Sequence, residues 1–179
     1  LLEDNQRLNL VDECYRWKES SKTVISSNFG GWHSEQTLFK RNEEPFKLLC
    51  QSIFTRIVAI NQNIDKSWDP AKHTKTRCEG WVNINKSIDI NSPHDHGGYT
   101  WSGCYYVKIP TKSSSLEKSG AIEFIDPRSG ISGIKLFKAH QKTSYVPSEN
   151  QLFVWPSWVK HFVYPHLESD DRISIAFNI

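Results

Sequence analysis

The sequence has no excess of either charge: 22 Lys and Arg stand against 20 Asp and Glu in 179 residues, a formal charge of +2. Such a balance supplies no concentrated positive field, so nucleic acid is not an expected partner. No apolar run approaches the ~20 residues that span a bilayer, and a membrane is not expected either. No basic-then-apolar leader opens the stretch, which begins at Leu1 and leaves a preceding segment open. Cysteine is scarce and scattered. Cys14, Cys50, Cys78 and Cys104 contain no CxxC spacing and lie in segments that otherwise read as helix or strand. They fit reduced thiols of a cytoplasmic protein better than a secreted disulfide framework, although four cysteines can pair in three ways. There is no internal repeat and no sustained low-complexity segment. The length suits one domain able to bury its own core.

Helical signals fill the first part of the chain. Residues 9–17 place Leu10, Val11, Cys14, Tyr15 and Trp17 on an amphipathic pattern. Residues 43–63 form the stronger case, with Pro45 in a first-turn position and Phe46, Leu49, Ile53, Phe54, Ile57 and Ile60 at the spacing of a buried stripe. This helix is expected to cover one outer face of a sheet. Asn28, Gly30 and Gly31 mark a turn. From residue 79 the pattern changes to short β-rich runs at 81–85, 101–109, 121–125, 152–155, 162–164 and 172–179, punctuated by Gly, Pro, Ser and Asp. Residues 112–120 are expected as a solvated hairpin loop and residues 126–130 as a turn. The expected fold is mainly β with supporting α-helices, a sandwich or barrel-like antiparallel domain. In this scheme residues 1–78 form a helical supporting region and residues 79–179 the core.

The informative stretch is Pro93-His-Asp-His96. In extended backbone His94 and His96 point to the same side with Cα atoms about 6.6 Å apart, so both imidazoles can converge on one ion while Asp95 projects away. His161, after the strand and turn at 152–160, offers a third ligand through antiparallel closure. Three ligands on one octahedral face leave three positions for other groups, and imidazole suits Fe(II). Zinc in a structural or hydrolytic role, or two neighbouring histidines without metal, fit the same spacing. His33, His73, His140 and His166 have no comparable pattern.

Residues 172–179 alternate: Arg172, Ser174, Ala176 and Asn178 share one face, and Ile173, Ile175, Phe177 and Ile179 the other. The apolar face suits a core. An arginine in a cavity then needs an anion, and its planar fork matches a carboxylate, with Ser174 beside it. The opposing possibility is a salt bridge from a surface Arg172 to Glu168, Asp170 or Asp171. Tyr105 and Tyr106 point to opposite faces, so at most one approaches that cavity. Asn83 and Asn85 share a face that lines the cavity or faces water. Trp155 and Trp158 shape the mouth near His161 or serve packing, the commoner role. Asp126 and Arg128 read as a turn-stabilising pair.

Taken in order, Asn83-Ile-Asn85, the Pro93-His-Asp-His96 region, Trp101-Ser-Gly-Cys-Tyr-Tyr-Val-Lys108, Gly120-Ala-Ile-Glu-Phe-Ile-Asp-Pro-Arg128, Pro147, Leu152-Phe-Val-Trp-Pro-Ser-Trp-Val-Lys-His161 and Arg172-Ile-Ser-Ile-Ala-Phe-Asn178 carry a resemblance over more than half the chain. They resemble the 2-oxoglutarate and Fe(II)-dependent oxygenase superfamily, particularly a bacterial and phage-associated group with an HxH, distal H and RxS pattern. The resemblance implies a double-stranded β-helix, a jelly-roll of cupin-like form. It implies Fe(II) on His94, His96 and His161, with 2-oxoglutarate chelating the metal and held by Arg172 and Ser174; one of Tyr105 and Tyr106, together with Asn83, provides further candidate contacts from the alternation above. It further implies dioxygen as a reactant, decarboxylation of 2-oxoglutarate, and hydroxylation or related oxidation of a small molecule or protein side chain. The location it implies is the cytoplasm, or the host cytoplasm for a phage-encoded chain. The chain departs from the superfamily at His96, which stands where the usual motif has Asp or Glu and leaves the site one negative charge poorer. Two alternatives follow: a three-histidine cupin-type dioxygenase that works without 2-oxoglutarate, and a noncatalytic β-rich binding or phage structural module. The primary substrate and the oligomeric state are not legible.

Overall fold

The computed structural model describes residues 1–73, 76–111, 115–128 and 142–179. Helix α1 (Asp4–Ser20) begins earlier than its apolar pattern because Glu3 and Gln6 form a reciprocal capping box. It buries Leu10, Cys14 and Trp17 along one stripe. Helix α2 (Glu44–Ile64) carries Pro45 in its first turn and buries Phe46, Leu49, Ile53 and Ile57. The Arg41 guanidinium lies 4.4 Å from the Trp17 ring and so joins the start of α2 to α1. Among the described residues no helix is long and apolar enough to cross a membrane.

Two five-stranded antiparallel sheets make up the rest. One has the order β2 (Trp32–His33), β3 (Glu79–Asn85), β10 (Arg172–Asn178), β5 (Trp101–Lys108) and β8 (Leu152–Pro156). The other runs β1 (Asn28–Phe29), β4 (Ile90–His94), β9 (His161–Val163), β6 (Ile122–Ile125) and β7 (Lys142–Tyr145). The chain crosses from sheet to sheet at nearly every connection, which is the double-stranded β-helix expected. The first crossing needs glycine: Gly30 and Gly31 take φ of +75° and +66° between β1 and β2.

Alternation along the strands creates the two layers. Val82 and Ile84 of β3, Tyr105 and Val107 of β5, and Ile173, Ile175 and Phe177 of β10 share one core with the buried faces of both helices. Their alternate neighbours face the space between the sheets, where Cys104, Tyr106, Ile122 and Trp155 form a second cluster. Close approach fixes Gly103, since an added Cβ would lie 2.2 Å from Phe177 Cζ. The four strands that composition does not announce are β1, β2, β4 and β7. Two are only two residues long, β4 contains Asn-Ser-Pro, and Lys142-Thr-Ser-Tyr145 is mostly exposed. The hairpin loop and turn expected at 112–120 and 126–130 lie partly outside the described residues.

The second sheet carries a charged lock. Glu123 is fully buried and accepts hydrogen bonds from Lys118 (2.7 Å), Ser144 (2.6 Å) and Tyr164 (3.1 Å), with Lys142 at 3.6 Å. Burial alone pushes its pKa up, but the hydrogen bonds from Lys118, Ser144 and Tyr164 and the Lys118 charge outweigh it and hold the group at about 2. This carboxylate ties β6 to β7 and to the segment after β9. The folded pKa lies below its ordinary 4.5, so the stabilisation is full above that value and is lost as pH falls from 4.5 toward 2. Both lysines are half exposed and screened by solvent, which limits the effect to about 2 kcal/mol. Glu123→Gln is expected to lower unfolding free energy by that amount at neutral pH, with the gap to wild type closing below pH 4.5. Urea denaturation across pH checks this.

Candidate metal centre

The centre is built where β4 meets β9. Antiparallel pairing sets His94 directly opposite His161, and the chain continues past β4 to His96, whose backbone N–H donates to Ser157 O at 3.0 Å. One ring nitrogen from each of the three histidines lies within 4.8 Å of the others. The ring centroids are 4.4 Å apart for His94 and His161, 4.8 Å for His94 and His96, and 5.2 Å for His96 and His161. Asp95 is exposed and outside the cluster, as its alternation predicts.

The electronics of the donor set fit a cation. His94 Nδ1 lies 2.6 Å from Ser92 O and His161 Nδ1 lies 3.0 Å from Val159 O. A carbonyl only accepts, so each Nδ1 carries the proton and each Nε2 keeps its lone pair free for a metal. Burial, reinforced by the neighbouring His94, lowers His161 to about 3 and His96 to about 4. His94 is lowered as well, through burial that outweighs its bond to Ser92 and the charge of Asp95. Three neutral imidazoles converging at neutral pH are ligands waiting for a positive charge.

The same cavity, about 40 Å³, receives the side chains singled out on β3, β5 and β10. Arg172, Ser174, Tyr106 and Asn83 line it with the histidines. Tyr105 does not: it is buried in the helix-side core, and its hydroxyl donates to Asn150 Oδ1 at 3.0 Å. Arg172 is 3% exposed and donates to Gly120 O at 3.2 Å and, at the long limit of 3.5 Å, to Asn85 Oδ1. No carboxylate among the described residues lies within ion-pair distance of it, so the alternative of a salt bridge to Glu168, Asp170 or Asp171 is not formed. Asp171 accepts from Tyr15 instead. Among the described residues, four polar atoms of the lining are buried without a hydrogen-bond partner: Asn83 Oδ1, Tyr106 OH, Trp155 Nε1 and Arg172 Nε. Such groups around one cavity mark a site for a polar ligand.

Other expected residues sit elsewhere. Trp155 packs edge-on against His161 at 4.8 Å, whereas Trp158 is largely exposed. Asp126 and Arg128 form their turn pair at 2.6 Å. His73 stacks on Trp68, and buried His166 contacts Asn85 O at 3.1 Å. His140 lies outside the described residues. The sequence reading missed Trp81 and His33. Trp81 lines the cavity and tilts against His96, while His33 stacks behind Trp81. Extending the face of Asn83 and Asn85 back by one alternation points to Trp81. Nothing in the local sequence points to His33, which reaches it through the pairing of β2 with β3.

The donor set overturns the expected cofactor pair of Fe(II) with 2-oxoglutarate. Among the described residues three histidines gather, and no carboxylate joins them. That set is more typical of cupin iron sites that work without 2-oxoglutarate than of the two-histidine, one-carboxylate face. Protein purified without a histidine tag is expected to bind about one Co(II) per chain, and His94→Ala or His161→Ala to weaken it by more than ~100-fold. Calorimetric titration at neutral pH checks both.

Comparison with solved structures places this arrangement among known folds. A prolyl-4-hydroxylase from Pseudomonas putida superposes with a TM-score of 0.69 at 15% identity, covering 99% of this chain and 86% of its own. SnoN, a non-haem alpha-ketoglutarate-dependent epimerase of nogalamycin biosynthesis, gives 0.62 at 10% identity over 99% of this chain and 75% of its own. HygX from Streptomyces hygroscopicus, solved with nickel and 2-oxoglutarate, gives 0.62 at 9% over 98% and 78%. At such identities the likeness shows the fold alone. No curated protein gives a significant match. The family described as "Putative 2OG-Fe(II) oxygenase" matches residues 79–178, from the first residue of β3 to the last of β10. Over more than half its length, therefore, the chain belongs to that oxygenase family.

Proposed function

We propose that this protein is a three-histidine, metal-dependent dioxygenase that binds its substrate directly at the metal and does not consume 2-oxoglutarate. The observation that carries the proposal is the convergence of His94, His96 and His161 without a carboxylate. When bound, a redox-active divalent metal such as iron supplies the activation of dioxygen. His94 and His161 present Nε2 with their rings held by backbone carbonyls, and His96 completes the face. Because the protein adds no negative charge to that face, an anionic substrate atom is favoured as the compensating ligand.

Arg172 and Ser174 select the rest of the substrate. A guanidinium buried without a carboxylate is costly, and an acidic group in the cavity offsets that cost while accepting from the orphaned Nε. Ser174 sits one alternation along β10 on the same face. Tyr106, whose phenol burial pushes far up, stays protonated and keeps an O–H to donate. Asn83, paired with Ser174 across β3 and β10, offers its Oδ1 as an acceptor beside it. The cavity is small, so a compact acidic molecule suits it.

The iron-loaded protein is expected to take up dioxygen with a member of a panel of small acidic metabolites, at a rate unchanged by 2-oxoglutarate and abolished in His94→Ala. Arg172→Leu is expected to raise KM by ~10-fold or more, the loss of one charge-assisted contact. An oxygen electrode with product analysis checks both. Uptake that requires 2-oxoglutarate and releases succinate would overturn the proposal.

A further inference from the structure

The three ligands are not held alike. His94 and His161 each fix one ring nitrogen on a backbone carbonyl, of Ser92 and Val159. Metal-binding histidines nearly always have such a second contact, because it sets both tautomer and ring orientation. The His96 ring makes no hydrogen bond among the described residues. Its backbone is anchored to Ser157 O, but that leaves the ring free to turn. What the ring meets instead is the indole of Trp81, centroid to centroid 5.6 Å at an interplanar angle of 53°.

Trp81 is itself fixed from behind. It is 6% exposed, on β3, and its far face stacks on His33 at 5.4 Å with an interplanar angle of 16°. His33 is 2% exposed, held by Nδ1 to Ser34 O at 2.6 Å and by the pairing of its strand with Asn83. Burial lowers the proton affinity of His33, so a neutral ring backs the indole. The indole thus contacts His33 and His96 at once.

We propose that Trp81, backed by His33, is the positioning residue for His96, replacing with an aromatic wall the hydrogen bond that orients the other two ligands. This rests on the metal reading above. It also gives a physical reason for a histidine at this place in the site: an imidazole can lean on an indole face, whereas a carboxylate would be desolvated by it without gaining a donor. Trp155 supplies the internal comparison. It packs against His161 at 4.8 Å, but His161 already has its carbonyl, so loss of that indole should matter less.

The test is Co(II) titration of the full chain, reading affinity and the visible Co(II) absorption band, with metal-free thermal unfolding to verify folding. Trp81→Leu is expected to weaken Co(II) by ~10-fold or more, within the range of outer-shell losses, and to alter the band. Trp81→Phe, which keeps a ring face, is expected to retain the wild-type band, and Trp155→Leu to lose at least ~3-fold less affinity than Trp81→Leu. Wild-type affinity and band in Trp81→Leu would overturn the role, as would an equal loss in Trp155→Leu. Should Trp81→Leu not fold, His33→Leu carries the test: weakened Co(II) with a changed band supports the stack, and unchanged titration overturns it. A wild-type chain that binds no Co(II) overturns the metal reading itself, and the positioning role with it.

Discussion

Strand β10 is the constraint on which both layers rest. It lies in the middle of its sheet, paired with β3 on one side and β5 on the other, so its register is fixed twice. Its isoleucines and Phe177 enter the helix-side core, and its alternate residues Arg172, Ser174 and Ala176 enter the cavity. A slip of one residue would push the guanidinium into the core and isoleucines onto the polar face. The register also sets partners within the cavity. Pairing with β5 shifts between Ile173 and Ser174, which brings Ser174 opposite Tyr106. Alternation then keeps Tyr106 on the cavity side while Tyr105 keeps its place in the core.

Charge decides what the cavity accepts. Around the metal position the protein places three neutral imidazoles, and on β10 it places a cation with no carboxylate partner. The acidic side chains nearby are turned elsewhere: Asp95 into solvent, Glu123 onto Lys118 and Lys142. Among the described residues Arg172 is therefore the one charged side chain lining the cavity, and its charge is what underlies the proposal of an acidic substrate. Here lies the physical difference from a site with a carboxylate ligand, where the protein itself offsets one charge of the ion. The fold shared with ketoglutarate-dependent enzymes therefore does not by itself fix the cosubstrate.

The sequence made the chemistry legible wherever a side chain's role follows from period-two alternation. His94 with His96, Arg172 with Ser174 and the apolar face of β10 are placed by counting along a strand. Six β-rich runs and both helices emerge from the same reasoning, with α1 extended by a capping box that apolar spacing alone does not reveal. What stayed hidden depends on pairing between distant strands. β4 has Asn-Ser-Pro in its middle and becomes a strand only because β1 and β9 flank it. His33 reaches the site because two residues of β2 pair with β3, a contact no local pattern encodes. The wrong expectation, the cosubstrate, came from resemblance. The residue that corrects it, His96, was in plain view.

The cavity is also a cost to the fold. Asn83, Tyr106, Trp155 and Arg172 each bury a polar atom without a protein partner, and such groups are worth about 1–3 kcal/mol apiece. Burying three imidazoles so that two of them fall to about 3 and 4 adds a further bias against any protonated state. The apolar core shared by β10, its neighbours and the two helices, together with the Glu123 lock on the other sheet, must absorb that cost. A metal or anion that binds only the folded chain returns part of it by mass action. Stability and ligand binding are thereby coupled through the same few atoms. Replacing Arg172 or a histidine by an apolar residue of similar size removes a buried penalty and a ligand contact together. Such exchanges therefore act on stability and on ligand binding in opposite directions.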